Sequence, residues 1–343
     1  MDASRLISQI SQERKGFLEI HRERSRSEAA AHNFMKLKHI LSTHQFLDKK
    51  MQASIFRTAE KFEKDDRRGK IPQLLKGKIL ASVFYEPSTR TRFSFEAAML
   101  KLGGGVITTE NARHFSSAIK GETLEDTIRV VSCYADIIVL RHFKEGASHI
   151  AAEVSRCPII NAGDGAGEHP TQALLDIYTI KREFGRIEGL NITLLGDLKY
   201  GRAIRSLLMV LPIYKNVKIY LVSPKELKLP DAYRKYLKEK GAKFQELREP
   251  DPVLGETDVL YTTRVQKERF KSKAEYERLR KSYRIDRDTL IKLKKKAIIM
   301  NPLPRVAEIM KEVDKDPRAV YFRQAQNGLY VRMALLALLF EDS

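Results

Sequence analysis

The sequence predicts an α/β protein made of two doubly wound parallel-sheet domains. Three observations lead to this prediction. The chain has 343 residues, which is more than a single hydrophobic core usually supports. Short apolar runs rich in β-branched residues alternate with segments of helical periodicity, as they do in parallel sheets with crossover helices. This alternation runs through both halves of the chain, so we expect one sheet in each half.

Seven segments have the length and composition of buried strands. They are residues 78–85, 135–141, 157–163, 191–197, 217–224, 258–264 and 297–304. Helical patterns lie between them, for example at 93–102 and 202–211, and a final apolar helix is predicted over 329–340. Ligands of parallel sheets collect outside the carboxyl ends of the strands, so the turns that follow the strands are where chemistry is expected.

Composition excludes several classes of protein. Hydrophobic residues make up 43% and charged residues 31%, which is too apolar for a disordered chain. Cys133 and Cys157 are the two cysteines and lack metal-ligand spacing, which excludes a disulfide framework and a zinc finger. The sequence has no apolar run long enough to span a membrane, and its N-terminus lacks the pattern of a secretory signal, so we expect a cytoplasmic protein.

The net charge is high. With 63 Lys and Arg against 44 Asp and Glu it amounts to +19, which leaves nucleic acid, an anionic membrane or an anionic small substrate open as partners. The run 267–296 is strongly basic, but it lacks interleaved aromatic residues and a recognisable module, so we interpret it as a solvated helical face. Residues 1–36 form a basic and polar N-terminal extension, in which apolar positions between Leu6 and Leu18 indicate an amphipathic helix.

The turn after the first predicted strand indicates an anion site. It contains three hydroxyl groups and two guanidinium groups, in Ser88, Thr89, Arg90, Thr91 and Arg92. A helix start exposes backbone N–H groups and the positive end of the helix dipole, and Arg presents a planar fork that matches phosphate oxygens. The alternative is an ordinary Ser or Thr N-cap beside two solvated arginines. A cap needs one hydroxyl group rather than three, so we favour the anion site.

A second turn, His169-Pro170-Thr171-Gln172, follows the strand predicted at 157–163. Pro170 suits the first position of a helix, which places His169 just before that helix at the end of the sheet. A lone histidine is more often structural than catalytic. Its position at the carboxyl end of a strand, in a chain that also carries the anion-binding turn, favours a functional role.

Three further turns carry polar residues at the ends of predicted strands. Two glycines lie in the turn Gly196–Arg202, but the G-x-G-x-x-G spacing is absent, so we reject a nucleotide cofactor and interpret Arg202 as a ligand of a carboxylate or phosphate. The turn Thr263–Gln266 supplies Arg264 and an amide. The turn Asn301–Arg305 has two prolines, one of which we expect in a cis peptide bond, and its carbonyls are fixed acceptors for an amino or amide group.

Together these motifs resemble the aspartate carbamoyltransferases of the aspartate/ornithine carbamoyltransferase family. The shared segments, in the expected order from about Leu37 to the end of the chain, are STRTR (88–92), SSAIKGET (116–123), Arg141-His142, HPTQ (169–172), GDLKYGR (196–202), TRVQKER (263–269), NPLPR (301–305) and YFRQAQNGLYVRMALLALL (321–339). The lysine of SSAIKGE and the RVQ triplet point to aspartate rather than ornithine. The His-Cys-Leu-Pro turn and the Ser-Met-Gly loop expected of an ornithine enzyme are absent from the sequence.

The resemblance implies an enzyme that transfers the carbamoyl group of carbamoyl phosphate to the amino group of L-aspartate, an early step of de novo pyrimidine (UMP) biosynthesis, without a metal or a cofactor. It implies a carbamoyl-phosphate-binding domain at 37–172 after the extension 1–36, an aspartate-binding domain at 173–325, and a C-terminal helix at 326–343 that packs back on the first domain. The active site is then expected in the cleft between the two domains.

The resemblance also implies roles for individual residues. The catalytic residues would be Arg90, Thr91, Lys120, Arg141 and His169. The phosphate group would be held by Ser88, Thr89, Arg90 and Thr91. The carbamoyl carbonyl would contact Thr91, Arg141 and a neutral His169, and the carbamoyl amide would contact Gln172 and the carbonyls of Pro302 and Leu303. The carboxylates of aspartate would bind Arg202, Arg264 and Gln266. The loop with Ser116 and Lys120 reaches, in this family, into the active site of the neighbouring subunit.

The partners implied are carbamoyl phosphate, L-aspartate and further copies of the chain in a homotrimer with shared active sites, with a regulatory chain left open and with no nucleic acid or membrane. Two alternatives remain: a transcarbamoylase for another amino acid such as ornithine, and a non-catalytic homologue that binds a partner through its charge. Asn301 departs from the family, which has histidine there. Since the contacts expected at this turn come from main-chain carbonyls, we predict that the turn keeps its form.

Overall fold

Two parallel β-sheets organise the part of the chain that the structure describes. The computed structural model describes residues 37–112, 120–165, 167–265, 270, 272–280 and 283–340. The chain divides into a short unit, Met1–Leu37, and a large unit, Lys38–Ser343, and the elements below belong to the large unit. The amphipathic helix predicted between Leu6 and Leu18 lies outside the described residues.

Among the described residues, the first sheet has four parallel strands in the order β2-β1-β3-β4. They are β1 (Ile79–Phe84), β2 (Gly105–Glu110), β3 (Ile137–His142) and β4 (Ile159–Asp164). In the same part of the chain, the second sheet has five parallel strands in the order β7-β6-β5-β8-β9. They are β5 (Asn191–Gly196), β6 (Lys218–Val222), β7 (Lys243–Leu247), β8 (Val259–Thr263) and β9 (Ile298–Met300).

Each sheet begins at an inner strand, and this order creates a crevice. The chain runs from β1 to β2 on one side and then crosses to β3 on the other side. It likewise runs from β5 through β6 and β7 before it crosses to β8. Where the winding reverses, a crevice opens at the carboxyl ends of the two strands concerned. The first switch point therefore lies between β1 and β3, the second lies between β5 and β8, and the predicted fold class is confirmed.

Helices connect successive strands. They are α1 (Lys49–Arg67), α2 (Thr89–Lys101), α3 (Leu124–Val131), α4 (Ala147–Val154), α5 (Pro170–Phe184), α6 (Arg202–Val210), α7 (Asp231–Glu239), α8 (Asp251–Leu254), α9 (Lys273–Leu279), α10 (Arg287–Lys292) and α11 (Tyr321–Phe340). Short 3₁₀ helices lie at Thr43–Phe46, Leu211–Ile213, Lys225–Leu227 and Lys311–Lys315. None of the helices in the described ranges is long and apolar enough to cross a membrane.

Two helices, α5 and α11, join the two halves. α5 follows β4 of the first sheet and packs against α6, which follows β5 of the second sheet. α11 packs against α1, α2 and α5. α5 begins with Pro170, whose missing N–H would have no helical partner at this position, and it ends at Gly185 with a φ of 72°. Every residue from Pro170 to Ile180 is buried, which makes α5 a central element of the molecule.

The seven predicted strands are confirmed, and the structure adds two that the sequence pattern does not predict. β2 and β7 lie at the edges of their sheets, and no residue of either strand is buried. An edge strand is partly exposed, so it does not need an apolar run. The predicted start of the last helix at 329 is wrong, because α11 already begins at Tyr321. Its first turns bury the polar Gln324 and Asn327, which do not stand out as an apolar pattern.

The basic run 267–296 is described only in part. Within it, α10 has no buried residue, which agrees with the interpretation of the run as a solvated face. Its helix starts are satisfied by ordinary caps: the Ser272 hydroxyl group accepts from the N–H of Glu275, and the Asp286 side chain accepts from the N–H of Thr289.

Candidate active site

The start of α2 lies at the first switch point, after the carboxyl end of β1. Ser88 is the N-cap of this helix, but its hydroxyl group makes no cap hydrogen bond with the first turn. The ordinary capping role, which was the alternative for this turn, is therefore absent for Ser88. Thr89 and Arg90 are exposed, whereas Thr91 is buried. The N–H groups and the dipole of a helix start favour an anion, and the predicted hydroxyl groups and Arg90 lie at this start.

Arg92 is not part of this cluster. Its guanidinium group lies 2.9 Å from a carboxylate oxygen of Glu110 and 3.6 Å from one of Glu96, and it donates to the Thr108 hydroxyl group at 3.3 Å. These partners lie on β2 and on α2 itself. The expectation of two guanidinium groups in the anion site is therefore wrong for Arg92, because two carboxylates hold it. Arg90 is the guanidinium group of this turn that remains for a ligand.

His169 lies immediately before α5, where the two halves meet. Its side chain is 5% exposed, and its backbone N–H donates to the Ser206 hydroxyl group of α6 at 2.9 Å. Its Nε2 atom lies 3.5 Å from Oγ1 of Thr91, at the long end of hydrogen-bond distances. None of the described residues bonds to its Nδ1 atom. Buried polar atoms normally have partners, so an unbonded ring nitrogen beside the anion site suits contact with a substrate.

Burial and nearby positive charge keep the His169 ring neutral. Its pKa lies well below the ordinary value of 6.5, because burial disfavours the imidazolium ion and because three guanidinium groups repel it. These groups belong to Arg202, Arg141 and Arg332. A neutral imidazole has one N–H donor and one acceptor nitrogen. The ring is therefore in the neutral form that the resemblance implies.

Two guanidinium groups meet over Gly163, at the end of β4. A β-carbon at this position would lie 3.1 Å from Cζ of Arg202 and 3.4 Å from Nη1 of Arg141, and the φ of 109° is one that few other residues adopt. Arg141 donates to the Ala162 carbonyl at 3.3 Å, and Arg202 donates to the Gly165 carbonyl at 2.8 Å. The end of one strand thus holds a guanidinium group from each half of the molecule.

The guanidinium groups around this point repel one another. Burial, followed by the charge of Arg202, lowers the pKa of Arg141 to about 9, so Arg141 stays cationic at neutral pH. Burial, followed by the charge of Arg264, lowers the pKa of Arg90. Glu86 offsets part of this charge, since its Oε2 atom lies 3.8 Å from Arg141 and 3.7 Å from Arg202. Arg90 acts on Arg141 and Arg264 acts on Arg90, so positive charge is concentrated here in a way that suits anionic substrates.

Arg202 and Arg264 lie at the second switch point. Arg202 opens α6 after the turn that follows β5, and Arg264 directly follows β8. The two strands approach so closely that a β-carbon on Gly196 would lie 2.5 Å from the carbonyl oxygen of Thr263. Gly196 also has a φ of 113°. The first glycine of the GDLKYGR motif therefore allows two neighbouring strand ends, each with an arginine after it, to come together.

The turn after β9 keeps its predicted form with Asn301. The Oδ1 atom of Asn301 accepts the N–H of Leu303 at 2.6 Å, and its Nδ2 atom donates to Oε1 of Glu308 at 3.1 Å. Its backbone N–H donates to Oε1 of Gln324 at 3.0 Å. The Leu303–Pro304 peptide bond is cis, as expected from the sequence. The asparagine side chain thus closes the turn whose carbonyls were predicted to meet the substrate.

A buried carboxylate connects this turn with Gln172. Asp176 lies one helical turn after Gln172 on α5 and is fully buried. Its Oδ1 atom accepts from Nε2 of Gln172 at 2.9 Å and from Nε2 of Gln324 at 2.7 Å. Its Oδ2 atom accepts from the Tyr261 hydroxyl group at 2.8 Å. Burial raises the pKa of Asp176 to about 7 against the opposing effect of these three donors.

Two of the predicted residues fall outside the described part of the chain, and a third is exposed. Ser116 and Gln266 lie outside the described residues. Lys120 is exposed, and it makes no ion pair within the described part of the chain. Within the same part, no group of three or more His, Cys, Asp or Glu side chains is placed to hold a metal ion.

Four residues of the site were not singled out by the sequence motifs: Glu86, Asp176, Ser206 and Arg332. Two of them carry a signal in the sequence. Asp176 follows Gln172 by four residues on a helix, the spacing at which side chains meet. Arg332 is a single charge within the apolar run of the last helix. Glu86 and Ser206 carry no such signal, because an acidic residue beside an anion site and a serine in a helix usually lie on the surface.

Comparison with known proteins decides the family. Residues 38–182 match the carbamoyl-P binding domain of aspartate/ornithine carbamoyltransferase, and residues 188–339 match its Asp/Orn binding domain. The chain belongs to the aspartate/ornithine carbamoyltransferase family. Within it the chain falls among the aspartate carbamoyltransferases. It is 53% identical over 305 residues to the chloroplastic aspartate carbamoyltransferase of Arabidopsis thaliana, a match that covers 89% of this chain and 78% of that protein.

A second relative and the solved structures agree with this placement. The aspartate carbamoyltransferase catalytic subunit of Methanocaldococcus jannaschii is 53% identical over 307 residues, covering 90% of this chain and 99% of that one. Its solved structure matches with a TM-score of 0.83 over the same shares. Aspartate transcarbamoylase from Trypanosoma cruzi, solved with carbamoyl phosphate and aspartate, matches with a TM-score of 0.83 at 41% identity, over 88% of this chain and 96% of that one.

Proposed function

We propose that the chain transfers the carbamoyl group of carbamoyl phosphate to the amino group of L-aspartate and releases N-carbamoyl-L-aspartate and phosphate. The observation that carries this proposal is the meeting of a helix start suited to an anion, a buried neutral His169, and guanidinium groups from both halves. The two substrates bound to the Trypanosoma cruzi relative support the same pair here. The reaction belongs to an early step of de novo pyrimidine biosynthesis.

The start of α2 binds the phosphate group. The hydroxyl groups of Ser88, Thr89 and Thr91, the N–H groups of the first helical turn and the guanidinium group of Arg90 together supply donors for several phosphate oxygens. Charge-assisted hydrogen bonds of this kind are roughly twice as strong as neutral ones. The uncapped Ser88 hydroxyl group supports this role.

Arg141, Thr91 and His169 stabilise the carbonyl oxygen of the carbamoyl group. Negative charge builds on this oxygen as the amine attacks, so donors that are already in place lower the barrier. The Ala162 carbonyl holds the guanidinium group of Arg141, and the Ser206 hydroxyl group holds the backbone of His169. These contacts support a role in which the donors need little reorganisation during the reaction.

The bond changes need no nucleophilic side chain. The amine of aspartate attacks the carbonyl carbon, a C–N bond forms, and the bond between that carbon and the phosphate oxygen breaks. The departing phosphate takes the proton that the amine loses. The Gln172 side chain and the carbonyls of Pro302 and Leu303 orient the carbamoyl amide during this step. Catalysis then comes mainly from positioning two reactants beside fixed charges.

The second switch point binds aspartate. Arg202 and Arg264, with Gln266, bind its two carboxylates. Arg264 is close enough to Arg90 to lower its pKa, which supports a location beside the phosphate site. Two guanidinium groups favour a dicarboxylate over ornithine, whose side chain is a cation. This argues against the alternative of an ornithine enzyme.

Activity requires a homotrimer in which Ser116 and Lys120 of one subunit complete the site of its neighbour. The exposed position of Lys120 supports this arrangement. Exposed apolar side chains near the anion-binding helix offer a surface for the neighbouring subunit: Phe93 and Leu100 lie on α2, and Ile107 lies on the edge strand β2. A regulatory chain and a cytoplasmic location stay predictions.

The experiment that tests the function is product analysis with the purified full chain. Carbamoyl phosphate and L-aspartate should give N-carbamoyl-L-aspartate and phosphate in equal amounts. L-Ornithine in place of L-aspartate should give no carbamoylated product. Product with ornithine but none with aspartate would contradict the proposal, and binding of both substrates without any product would favour the non-catalytic alternative.

A subunit-mixing experiment tests the shared site. Chains with Lys120→Ala and chains with His169→Ala should each be nearly inactive alone. Mixed trimers should recover part of the activity, because some sites then combine an intact His169 with an intact Lys120 from the neighbour. The exposed Lys235→Ala, mixed with His169→Ala in the same way, gives the activity expected from dilution alone. Absence of recovery after verified subunit exchange would refute sharing.

A further inference from the structure

The hydrogen bonds of Asp176 determine which end of the Gln172 side chain remains for a substrate. Three polar groups surround this carboxyl group at 2.7 to 2.9 Å: the amides of Gln172 and Gln324 and the hydroxyl group of Tyr261. A carboxylate accepts only, and a protonated carboxyl group has a single proton to donate. At most one of the three neighbours can therefore accept a hydrogen bond from Asp176.

The Tyr261 hydroxyl group is the neighbour that can accept. A hydroxyl group can donate or accept, whereas the nitrogen of an amide only donates. Both amides therefore present their NH₂ groups to Oδ1 of Asp176 when Asp176 is ionised, and also when its proton lies on Oδ2, the oxygen that faces Tyr261. In both of these states, a reversed amide would place its oxygen against the unprotonated Oδ1 of Asp176 at less than 3 Å, with no hydrogen atom between them. The oxygens of Gln172 and Gln324 must point away from Asp176.

The side-chain oxygen of Gln324 forms a hydrogen bond with the turn after β9. It accepts the N–H of Asn301 at 3.0 Å, and the side-chain oxygen of Asn301 accepts the N–H of Leu303 at 2.6 Å. These two bonds fix the backbone on both sides of Pro302. One buried carboxyl group thus orients the Gln172 oxygen directly and the carbonyls of Pro302 and Leu303 through one amide.

We propose that Asp176 is a positioning residue that makes the site selective for carbamoyl phosphate over acyl phosphates of the same shape. It aligns three acceptors, the side-chain oxygen of Gln172 and the carbonyl oxygens of Pro302 and Leu303, toward a single NH₂ group. The inference rests on the proposed function, in which these oxygens meet the carbamoyl amide. A methyl group in place of NH₂ has nearly the same size but leaves the acceptors unpaired, which is the more effective basis for rejection.

The same pair of helices contains a purely structural contact for comparison. One turn further along α5, the Thr179 hydroxyl group accepts from Nδ2 of Asn327 on α11 at 3.0 Å and donates to the Leu175 carbonyl at 2.8 Å. This contact is buried and joins the same helices as the bond between Asp176 and Gln324. It reaches no residue of the proposed carbamoyl site, so Thr179→Val is a matched control for Asp176 variants.

The test compares two stable analogues by calorimetric titration of the assembled full chain. Phosphonoacetamide carries the NH₂ group, and 2-oxopropylphosphonate carries a methyl group in its place. The wild-type chain should bind the amide at least about 10-fold more tightly, since each neutral hydrogen bond contributes a factor of about 2 to 13. Inorganic phosphate serves as the reference ligand, because it lacks the amide and the carbonyl.

Four variants separate positioning from structure. In Asp176→Ala, the preference for the amide over the methyl analogue should fall to about 3-fold or less, and phosphate binding should stay unchanged. Asp176→Asn should keep most of the preference, because its side-chain oxygen can accept from both amides while its NH₂ group donates to Tyr261. Thr179→Val should lower the melting temperature and keep the preference. Gln324→Met retains the Gln172 contact but loses the link to Asn301, so its preference should fall by about 3-fold.

Specific results would overturn the proposal. One is a folded Asp176→Ala chain that keeps the wild-type preference. Another is a Thr179→Val chain that loses as much preference as Asp176→Ala. If Asp176→Ala does not fold, an unchanged preference in Gln324→Met refutes the proposal instead. Wild-type chains that form carbamoyl aspartate but bind both analogues equally would refute this inference alone, whereas amide-selective binding without turnover would refute the proposed function alone.

Discussion

The two switch points have similar strand topology but carry different sets of ligand-binding side chains. At the first, between β1 and β3, the chain supplies hydroxyl groups, the start of a long helix, Arg141 and, from the end of β4, the buried ring of His169. At the second, between β5 and β8, it supplies Arg202 and Arg264 after strand ends that approach closely at Gly196. The first is a varied set of donors around a neutral ring, and the second is a pair of cations.

This difference matches the chemistry of the two proposed substrates. Carbamoyl phosphate carries a phosphate group, a carbonyl that gains negative charge and an amide, so it needs several kinds of partner in fixed positions. Aspartate carries two carboxylates, for which planar guanidinium groups suffice. The bonds of Arg202 to the Gly165 carbonyl and its closeness to Glu86 connect the two regions. The comparison predicts that substitutions at the first region change turnover and that substitutions at the second change the use of aspartate.

The largest expected effect is that of His169→Ala. Loss of a donor to the developing oxyanion should lower kcat about 100- to 1,000-fold and should change the KM for aspartate much less. Steady-state kinetics with both substrates measures the two constants. His149→Ala, which removes an exposed histidine of α4, is the control and should keep full activity. A large rise in the aspartate KM with an unchanged kcat would place His169 in the wrong region.

A smaller effect is expected at the turn that ends the second sheet. Asn301→Ala removes the acceptor of the Leu303 N–H and the partner of Glu308, so the free energy of unfolding should fall by about 1 to 3 kcal/mol. Urea unfolding measures this loss. Asn301→His should lose less, since a ring nitrogen can replace the acceptor. An unfolding free energy unchanged in Asn301→Ala would show that its hydrogen bonds do not hold the turn.

The smallest expected effect is a pH dependence of stability that comes from His169 in the first region. The folded chain keeps His169 neutral, because its pKa is lowered well below 6.5, while the unfolded chain binds a proton there below about pH 6.5. The unfolded state thus takes up more protons, and acid lowers stability. Relative to His169→Asn, the wild-type chain should lose about 1.4 kcal/mol of unfolding free energy between pH 7.5 and 5.5. A difference independent of pH would show that folded His169 titrates normally.

Much of the first region could be predicted from the sequence, because its residues lie in short contiguous motifs. Ser88 to Thr91 occupy one turn and His169 to Gln172 another, and the alternation of strands and helices places both at strand ends. The strands themselves were predictable where they are buried on both faces. The edge strands β2 and β7 were not, because they have no buried residue and hence no apolar run.

The rest of the site depends on contacts between distant parts of the chain. Asp176 meets Gln324 across 148 positions, and His169 meets Ser206 across 37. No local sequence pattern predicts such long-range contacts. The prediction of Arg92 as part of the anion site failed for the same reason. The two carboxylates that hold Arg92 come from α2 and from the edge strand β2, which the sequence pattern does not predict. Local sequence predicts which turns carry chemistry, whereas the fold decides which side chains of a turn face the ligand.

The central claim is that each switch point serves one substrate, and Arg264→Ala tests it most directly. The variant should raise the KM for aspartate at least about 10-fold, since hydrogen bonds to charged groups contribute about 1.5 to 3 kcal/mol. Its dissociation constant for phosphonoacetamide should stay within about 3-fold of the wild-type value. Arg278→Ala, which removes an exposed arginine paired with Glu226, is the control and should change neither constant. Equal losses of aspartate use and phosphonoacetamide binding in Arg264→Ala would contradict the division of roles.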